Sequence, residues 1–218
     1  MAQKKNISSE KIMEVYMESI LTGENLSTIY AFAKKYSFEE SDFYQHFSSF
    51  ESLEKEIFSI FCSKTVALLH QNKEYKEYDS KSKLLSFYYT FFELLTANRS
   101  YVFTKLKANK NKLESLKLLS KLRIAFIDFV NQEIYRDTID FKNEKINKIQ
   151  DKSIAESSWI HLIFTLQFWL EDESKNFEKT DLFIEKSLKA SFDLSNITPV
   201  KSVFDFAKFL WKEKMPTL

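Results

Sequence analysis

The sequence predicts an all-α protein of about ten helices, and three observations point to this class. Only one glycine occurs among 218 residues, whereas tight β-hairpins and phosphate-binding loops need residues that tolerate positive φ. Apolar residues recur at intervals of three and four along almost the whole chain, which is the spacing of amphipathic helices. The interruptions carry helix-capping residues instead of glycine and proline clusters. P-loop and dinucleotide-binding folds are therefore excluded.

The first helix has a recognisable beginning and end. Ser8 or Ser9 can cap its first turn, and Gly23 supplies the left-handed residue that often follows a helix. The residues that share its buried face are Ile12, Val15, Tyr16, Ser19 and Ile20. We therefore expect a helix at roughly 9–22.

The same signals place the later helices. Three Ser-x-x-Glu pairs fit the capping box, namely Ser37 with Glu40, Ser48 with Glu51, and Ser153 with Glu156. Thr198 followed by Pro199 predicts the start of the last helix. The predicted helices after the first cover roughly 26–35, a short one from 38, a long one from 49, then 84–97, 99–108, 111–136, 154–172, 180–193 and 199–213. Residues 137–152 are polar and lysine-rich, so we expect a loop or a frayed helix there.

Charge and cysteine content narrow the function classes. The net charge is +1, from 32 basic and 31 acidic residues, so no global field attracts nucleic acid. The single cysteine, Cys62, and the absence of a signal peptide favour a cytoplasmic location, and no apolar run is long enough to span a bilayer. The isolated His46, His70 and His161 lack the spacing of metal ligands. No nucleophile, base and acid stand at a spacing typical of a catalytic site. We expect no metal, no cofactor and no enzyme activity.

Residues 23–53 follow the outline of a helix-turn-helix: a helix end, a short helix, a tight turn, a second short helix and the entry into a long helix. The segments that carry this pattern are Gly23, Ser27-Thr28-Ile29, Phe32-Ala33, Phe43-Tyr44-Gln45-His46-Phe47 and Ser49-Phe50-Glu51-Ser52-Leu53. In these segments the chain resembles the tetracycline-repressor (TetR) family of bacterial transcriptional regulators. The spacing needs no gap.

The resemblance implies a domain organisation and partners. Residues 1–53 would form a DNA-binding-like domain, and residues 54–218 a helical domain that binds a small molecule and dimerises. The dimer face would include parts of 154–172 and 180–193. The implied function is that of a ligand-responsive repressor that binds a DNA operator as a homodimer.

Nine residues are candidates for contact with DNA: Ser27, Thr28, Lys34, Lys35, Glu39, Ser41, Tyr44, Gln45 and His46. We expect Tyr44 and Phe47 to form the small core that holds the third helix on the first. The alternative for the Tyr44 hydroxyl and for His46 is contact with phosphate.

The segment departs from the family pattern at the turn and in its charge. Ser37 stands at the position of the family's turn glycine, and Phe50 at that of a lysine near a DNA phosphate. From Glu24 to Leu53 there are five acidic residues and two lysines, a balance of −3, which opposes the attraction of phosphates. These acids either stabilise the N-terminus of a short helix or mark a DNA face that has decayed.

Aromatic residues in the second half suggest a hydrophobic cavity for a lipid or an aromatic effector. The candidate lining residues are Tyr88, Phe91, Phe92, Phe103, Phe126, Phe129, Trp159, His161, Phe164 and Phe168, with Tyr101 beside them. Simple core packing is the alternative. His161 either orients a polar group of the ligand or is a core histidine with satisfied hydrogen bonds.

The predicted last helix, 199–213, has a wide apolar face and a lysine-rich polar face. It either docks on the protein or a dimer mate, or lies at a membrane interface. With a poor DNA face, this architecture is also similar to the lipid-binding protein family of coenzyme Q biosynthesis. The alternative function is therefore a non-enzymatic, lipid-binding or membrane-associated helper that has lost DNA binding.

Overall fold

The computed structural model describes the backbone of residues 7–24, 27–107, 112–134 and 144–197, and the side chains of the same ranges except 112–113, 144–153 and 194–197. Within these residues the regular structure is helical and contains no strand, which confirms the all-α prediction. The helices are α1 (Ser9–Leu21), α2 (Ile29–Lys35), α3 (Glu40–His46), α4 (Phe50–Gln71), α5 (Ser80–Ala97), α6 (Arg99–Leu106), α7 (Lys112–Leu118), α8 (Ser120–Phe129), α9 (Glu144–Glu171) and α10 (Glu178–Ile197). Short 3₁₀ segments at Lys73–Glu77 and Lys175–Phe177, and a π-helical segment at Val130–Ile134, complete them.

Helix α1 begins and ends as its sequence predicts. The Ser8 hydroxyl accepts a hydrogen bond from the Lys11 amide at 3.2 Å. At the other end Gly23 has φ +70°, the Glu24 amide donates to the Ser19 carbonyl at 3.0 Å, and the Gly23 amide donates to the carbonyl of Ile20. These two bonds form a Schellman motif, which satisfies carbonyl groups at the helix end.

The Ser37–Glu40 capping box is wrong, because the end of α2 uses Ser37. Ser37 has φ +60°, and the Phe38 amide donates to the Ala33 carbonyl at 3.0 Å, as in a Schellman motif. Helix α3 therefore begins two residues later than the predicted box. Its N-cap is Glu39, which forms a capping box with Asp42.

The other two predicted boxes are also wrong. Ser49, and not Ser48, caps α4, since its hydroxyl accepts from the Ser52 amide at 3.1 Å. No helix begins at Ser153, because α9 is already helical from Glu144. Extending an existing helix adds a hydrogen bond per residue without a new nucleation cost, so the lysine-rich stretch continues the helix backwards. The predicted loop or frayed helix is thus replaced by helix over residues 144–152.

The predicted helix at 111–136 is divided. Helices α7 and α8 meet at Leu119, and a π-helical segment follows α8. Leu118 and Leu119 are both buried at the division. Because neighbouring residues of a straight helix point about 100° apart, burial of both side chains favours a break in the helix here. The predicted helix at 199–213 lies outside the described residues.

The chain divides into two compact units. Unit 1 comprises Met1–Ser63 and Leu94–Leu122, and unit 2 comprises Lys64–Glu93 and Arg123–Leu218. Both units combine segments that are distant in the sequence. The domain boundary after residue 53 stays a prediction.

Each unit has an aromatic core. In unit 1 the fully buried Phe32 ring is surrounded by five rings whose centroids lie 5.2–6.3 Å away, those of Tyr16, Tyr36, Phe38, Phe43 and Phe50. In unit 2 the buried Phe87 stacks on Phe129 with centroids 4.4 Å apart and on Phe91 at 5.5 Å. Phe50 thus has a packing role where the family pattern has a lysine.

Candidate nucleic-acid interface and aromatic site

The turn between α2 and α3 is well defined despite its lack of glycine. Ser37, with φ +60°, adopts the left-handed conformation in this turn. The Phe38 ring packs edge-on against Phe32, with ring centroids 5.4 Å apart. Contact between the residue after a Schellman turn and the preceding helix is typical of this motif. The helix-turn-helix outline is therefore present in three dimensions.

All nine predicted DNA-contact side chains are exposed in unit 1; they are Ser27, Thr28, Lys34, Lys35, Glu39, Ser41, Tyr44, Gln45 and His46. Tyr44 is 53% exposed, so its prediction as a core residue is wrong. Phe43 and Phe47 are the buried residues of α3 and its end, because they lie four positions apart on one face. Tyr44 follows Phe43 and points about 100° away from that face.

Several of these nine side chains already have partners. The Thr28 hydroxyl caps α2 by accepting from the Ala31 amide at 3.1 Å. Lys35 forms an ion pair with Glu24 at 2.6 Å, and the His46 ring nitrogen Nε2 lies 3.1 Å from the carbonyl oxygen of Ile7. Lys34 forms no ion pair with a described side chain. It is thus the lysine of α2 that is available to a phosphate without losing an existing partner.

The acids of α3 are used within the helix. Asp42 accepts from the Glu39 amide at 3.2 Å and lies 3.4 Å from the Gln45 amide nitrogen. The hydroxyl of Tyr44 lies 3.4 Å from a carboxylate oxygen of Glu40. Carboxylates in the first turn also interact favourably with the helix dipole. These contacts support the helix-stabilising interpretation of the acids.

The aromatic residues predicted to line a ligand cavity do not form one group. Six are buried in unit 2, namely Tyr88, Phe91, Phe92, Phe126, Phe129 and Trp159. Phe164 and Phe168 are 51% and 37% exposed on α9. Phe103 is 38% exposed and, like Tyr101, belongs to unit 1. The buried members pack on one another, with Phe126 6.4 Å from both Tyr88 and Trp159 between ring centroids.

A hydrogen-bonded chain crosses this aromatic core from α5 to α9 and α10. The Tyr88 hydroxyl lies 2.6 Å from Nδ1 of His161, and Nε2 of His161 lies 2.7 Å from the Ser187 hydroxyl. Ser187 donates its one proton to the Phe183 carbonyl at 2.6 Å. His161 Nε2 must therefore carry a proton and donate to Ser187, while Nδ1 accepts from Tyr88.

Burial lowers the pKa of His161 to about 4, so the ring is neutral at pH 7. Both ring nitrogens have partners, as in a core histidine with satisfied hydrogen bonds. Ser187 was not predicted as a site residue, because it lies 26 positions from His161 and no local motif connects them. Phe87, at the start of the aromatic segment 87–92, is buried and stacks on Phe129.

Two classes of site find no candidate in the described part of the chain. No described group of three or more His, Cys, Asp and Glu side chains is arranged to hold a metal ion. None of the described helices combines the length and apolar character that a membrane span requires.

Comparison with known families gives a match to the second half of the chain. A family model described as "Tetracyclin repressor-like, C-terminal domain" matches residues 83–210. Comparison with curated proteins gives no match. The matched part covers more than half of the chain and includes most of unit 2. The helix-turn-helix of unit 1 precedes this match in the sequence, as in a TetR-type regulator. The chain therefore belongs to the tetracycline-repressor family of transcriptional regulators.

Proposed function

We propose that the protein is a ligand-responsive repressor that binds an operator as a homodimer through α3. The observation that carries this proposal is the helix-turn-helix of unit 1, in which all nine predicted contact side chains are exposed. The left-handed turn at Ser37 supports it as well, because this turn sets the direction in which α3 leaves α2.

Each exposed side chain has a role suited to its chemistry. Gln45 on α3 can read adenine, and Glu39 can accept from cytosine, in the major groove. Lys34, Lys35 and the hydroxyl of Tyr44 would contact phosphates and fix the register. Ser27, Thr28, Ser41 and His46 would add shorter polar contacts. Lys35 must release Glu24 before it can contact a phosphate.

Dimerisation would use α9 and α10. Phe164 and Phe168 on α9 and Leu182 on α10 are exposed, and Phe168 stacks on Phe183 with centroids 4.7 Å apart. An exposed apolar surface of this kind suits contact with a second copy. Binding of a hydrophobic small molecule or lipid to unit 2 would then shift the population toward a dimer whose two α3 helices no longer match the operator. We expect the protein to act in the cytoplasm.

The charge of the helix-turn-helix favours a second candidate function. On α3 and its N-cap, the carboxylates of Glu39, Glu40 and Asp42 stand against Lys34 and the ion-paired Lys35 of α2. The protein would then be a lipid-binding or membrane-associated helper that lacks operator binding, with residues 199–213 at the membrane surface.

An electrophoretic shift experiment separates the two functions. Full-length protein is mixed at low salt with the DNA that flanks its own gene, and lipids that co-purify with the protein are extracted and analysed. The repressor proposal predicts a shifted band that the Lys34→Gln and Gln45→Ala variants weaken, while Lys76→Gln in unit 2 leaves it unchanged. Absence of a shift together with bound lipid supports the helper. Flotation on liposomes that is lost without residues 199–218 supports a membrane role, and equal flotation of both chains removes it.

A further inference from the structure

A second site is visible in unit 1, apart from the aromatic core of unit 2. A cleft of about 570 Å³ has walls from α4, α6 and α7. Its volume falls within the usual range for small-molecule sites. The charged side chains that line it are Glu51, Glu54, Lys105, Glu114 and Lys117. A cleft with this many charges does not suit a lipid or an apolar effector.

Ion pairing among the described side chains involves three of these five charged residues. Lys105 pairs with Glu54 at 2.5 Å, and Glu51 pairs with Lys55 at 2.6 Å. Glu114 and Lys117 are exposed on α7 and form no ion pair within 4 Å with any described side chain, although the charge of Lys117, after that of Lys55, helps to lower the pKa of Glu51. The cleft therefore offers one carboxylate and one ammonium group, three positions apart on a single helix.

The inner wall has further capacity for hydrogen bonds. Oε1 of Glu54 accepts from both Tyr16 and Lys105, whereas no described residue donates to its Oε2. The Tyr101 hydroxyl is fully buried and has no hydrogen-bond partner among the described residues. The charge of Glu54 acts on this hydroxyl, since burial and then that charge raise the pKa of Tyr101. This hydroxyl is fully buried and does not line the cleft, so the second oxygen of Glu54 is the acceptor that the inner wall offers to a ligand.

We propose that this cleft binds a zwitterionic small molecule of the amino-acid or dipeptide class. Its carboxylate pairs with Lys117, and its ammonium group pairs with Glu114 and with the second oxygen of Glu54. The opposite charges orient the ligand, because the reversed pose places like charges together. This site does not depend on DNA binding and is separate from the hydrophobic effector of the proposed function.

The site is connected to the helix-turn-helix through Tyr16. The Lys105 ammonium lies 5.3 Å from the centre of the Tyr16 ring and 3.3 Å from its hydroxyl, and Tyr16 stacks on Phe50 with centroids 5.3 Å apart. A ligand ammonium group on the second oxygen of Glu54 would share this carboxylate with Lys105 and with Tyr16 of α1. The ligand site thus has a physical route to the first helix of the domain.

Ligand-observed NMR on the full-length protein tests the proposal. The probes are L-alanine, L-alanyl-L-alanine, ethylamine and propionate, each at up to 10 mM. The expected result is saturable binding of at least one zwitterion, with ethylamine and propionate at least tenfold weaker. Glu114→Gln and Lys117→Gln should each weaken that binding at least fivefold. Both residues are exposed, so the variants are expected to fold, and circular dichroism checks this.

The matched controls are Glu74→Gln and Lys76→Gln, which remove exposed charges from unit 2 and should leave the affinity unchanged. The proposal is overturned if neither zwitterion binds, if the single-charge probes bind as well, or if both α7 variants retain full affinity. None of these results bears on operator binding, so failure of this site is distinguishable from failure of the repressor proposal.

Discussion

Replacing Ser37 with glycine should stabilise the turn that precedes α3. Ser37 has φ +60°, a conformation that costs an L-residue about 1–2 kcal/mol and costs glycine nothing. Glycine also has more freedom in the unfolded chain, which offsets about 0.4–1 kcal/mol of this gain. The net expectation is a stabilisation of about 0.5–1 kcal/mol for Ser37→Gly.

Hydrogen exchange at the Phe38 amide measures this effect locally, because that amide donates across the turn to the Ala33 carbonyl. A gain of about 0.5–1 kcal/mol slows its exchange roughly two- to fivefold. Gly23→Ala is the opposite control. Gly23 has φ +70° and no heavy atom within 4 Å of an added Cβ, so the change isolates the backbone cost and should lower stability by about 1 kcal/mol.

Ser37→Ala separates the backbone effect from the hydroxyl, since alanine keeps the same φ preference and removes only the oxygen. It should leave exchange at Phe38 nearly unchanged. Faster exchange in Ser37→Gly, or a loss in Ser37→Ala as large as that in Gly23→Ala, would refute the reasoning. The first result would mean that the glycine does not relieve strain, and the second that the hydroxyl holds the turn.

The other predictions concern unit 2 and the DNA surface. Burial raises the pKa of Asp172, but hydrogen bonds from Ser174 and Thr180 outweigh this effect and lower the pKa from 3.8 to about 2. The ionised carboxylate therefore stabilises the fold above pH 4, and this contribution is lost as the pH falls toward 2. In urea unfolding, Asp172→Asn should be about 1–2 kcal/mol less stable than wild type at pH 7, and this difference should shrink below pH 4. A difference that does not change with pH would contradict the role of the ionised carboxylate. Tyr88→Phe leaves Nδ1 of His161 buried without a donor and should lower the free energy of unfolding in urea, followed by tryptophan fluorescence, by about 1–3 kcal/mol. Tyr89→Phe should cost little, because the Tyr89 ring is partly exposed. Equal costs for the two variants would show that the Tyr88–His161–Ser187 hydrogen bonds do not stabilise the fold. With two α2 lysines in each of two subunits at phosphates, the slope of log affinity against log salt concentration should be about −4, and a slope near zero in a titration would show that these lysines do not contact DNA.

The sequence predicted well those features that depend on neighbouring residues. Gly23 marks the end of α1 because one positive φ value is needed there, and the spacing of apolar residues placed most helices. The capping boxes failed because a Ser-x-x-Glu spacing does not show whether a helix begins at that serine, and the geometry of the preceding turn decides this. Once Ser37 takes the left-handed position, Glu39 is the residue that caps α3.

Features that depend on distant residues were less accessible. Aromatic content predicted burial for Phe164 and Phe168, but helical spacing does not say which face meets a neighbour, and both are exposed. Ser187 joins His161 only because α9 and α10 pack together. The cleft in unit 1 combines α4 with α6 and α7, which are about fifty or more residues further along the chain, so no local pattern marks it.

Selection from a randomised DNA duplex library tests the central claim most directly, because such a library samples operator sequences of every kind. Full-length protein is used at low salt, beside the Gln45→Ala variant and the Lys76→Gln control. A dimer that binds through α3 should enrich a two-fold symmetric site whose half-sites lie about one helical turn, or a multiple of it, apart. Gln45→Ala should lose preference at one base of each half-site, and the control should reproduce the wild-type site. Failure of the wild-type protein to enrich any sequence, or an identical site for Gln45→Ala, would contradict the account.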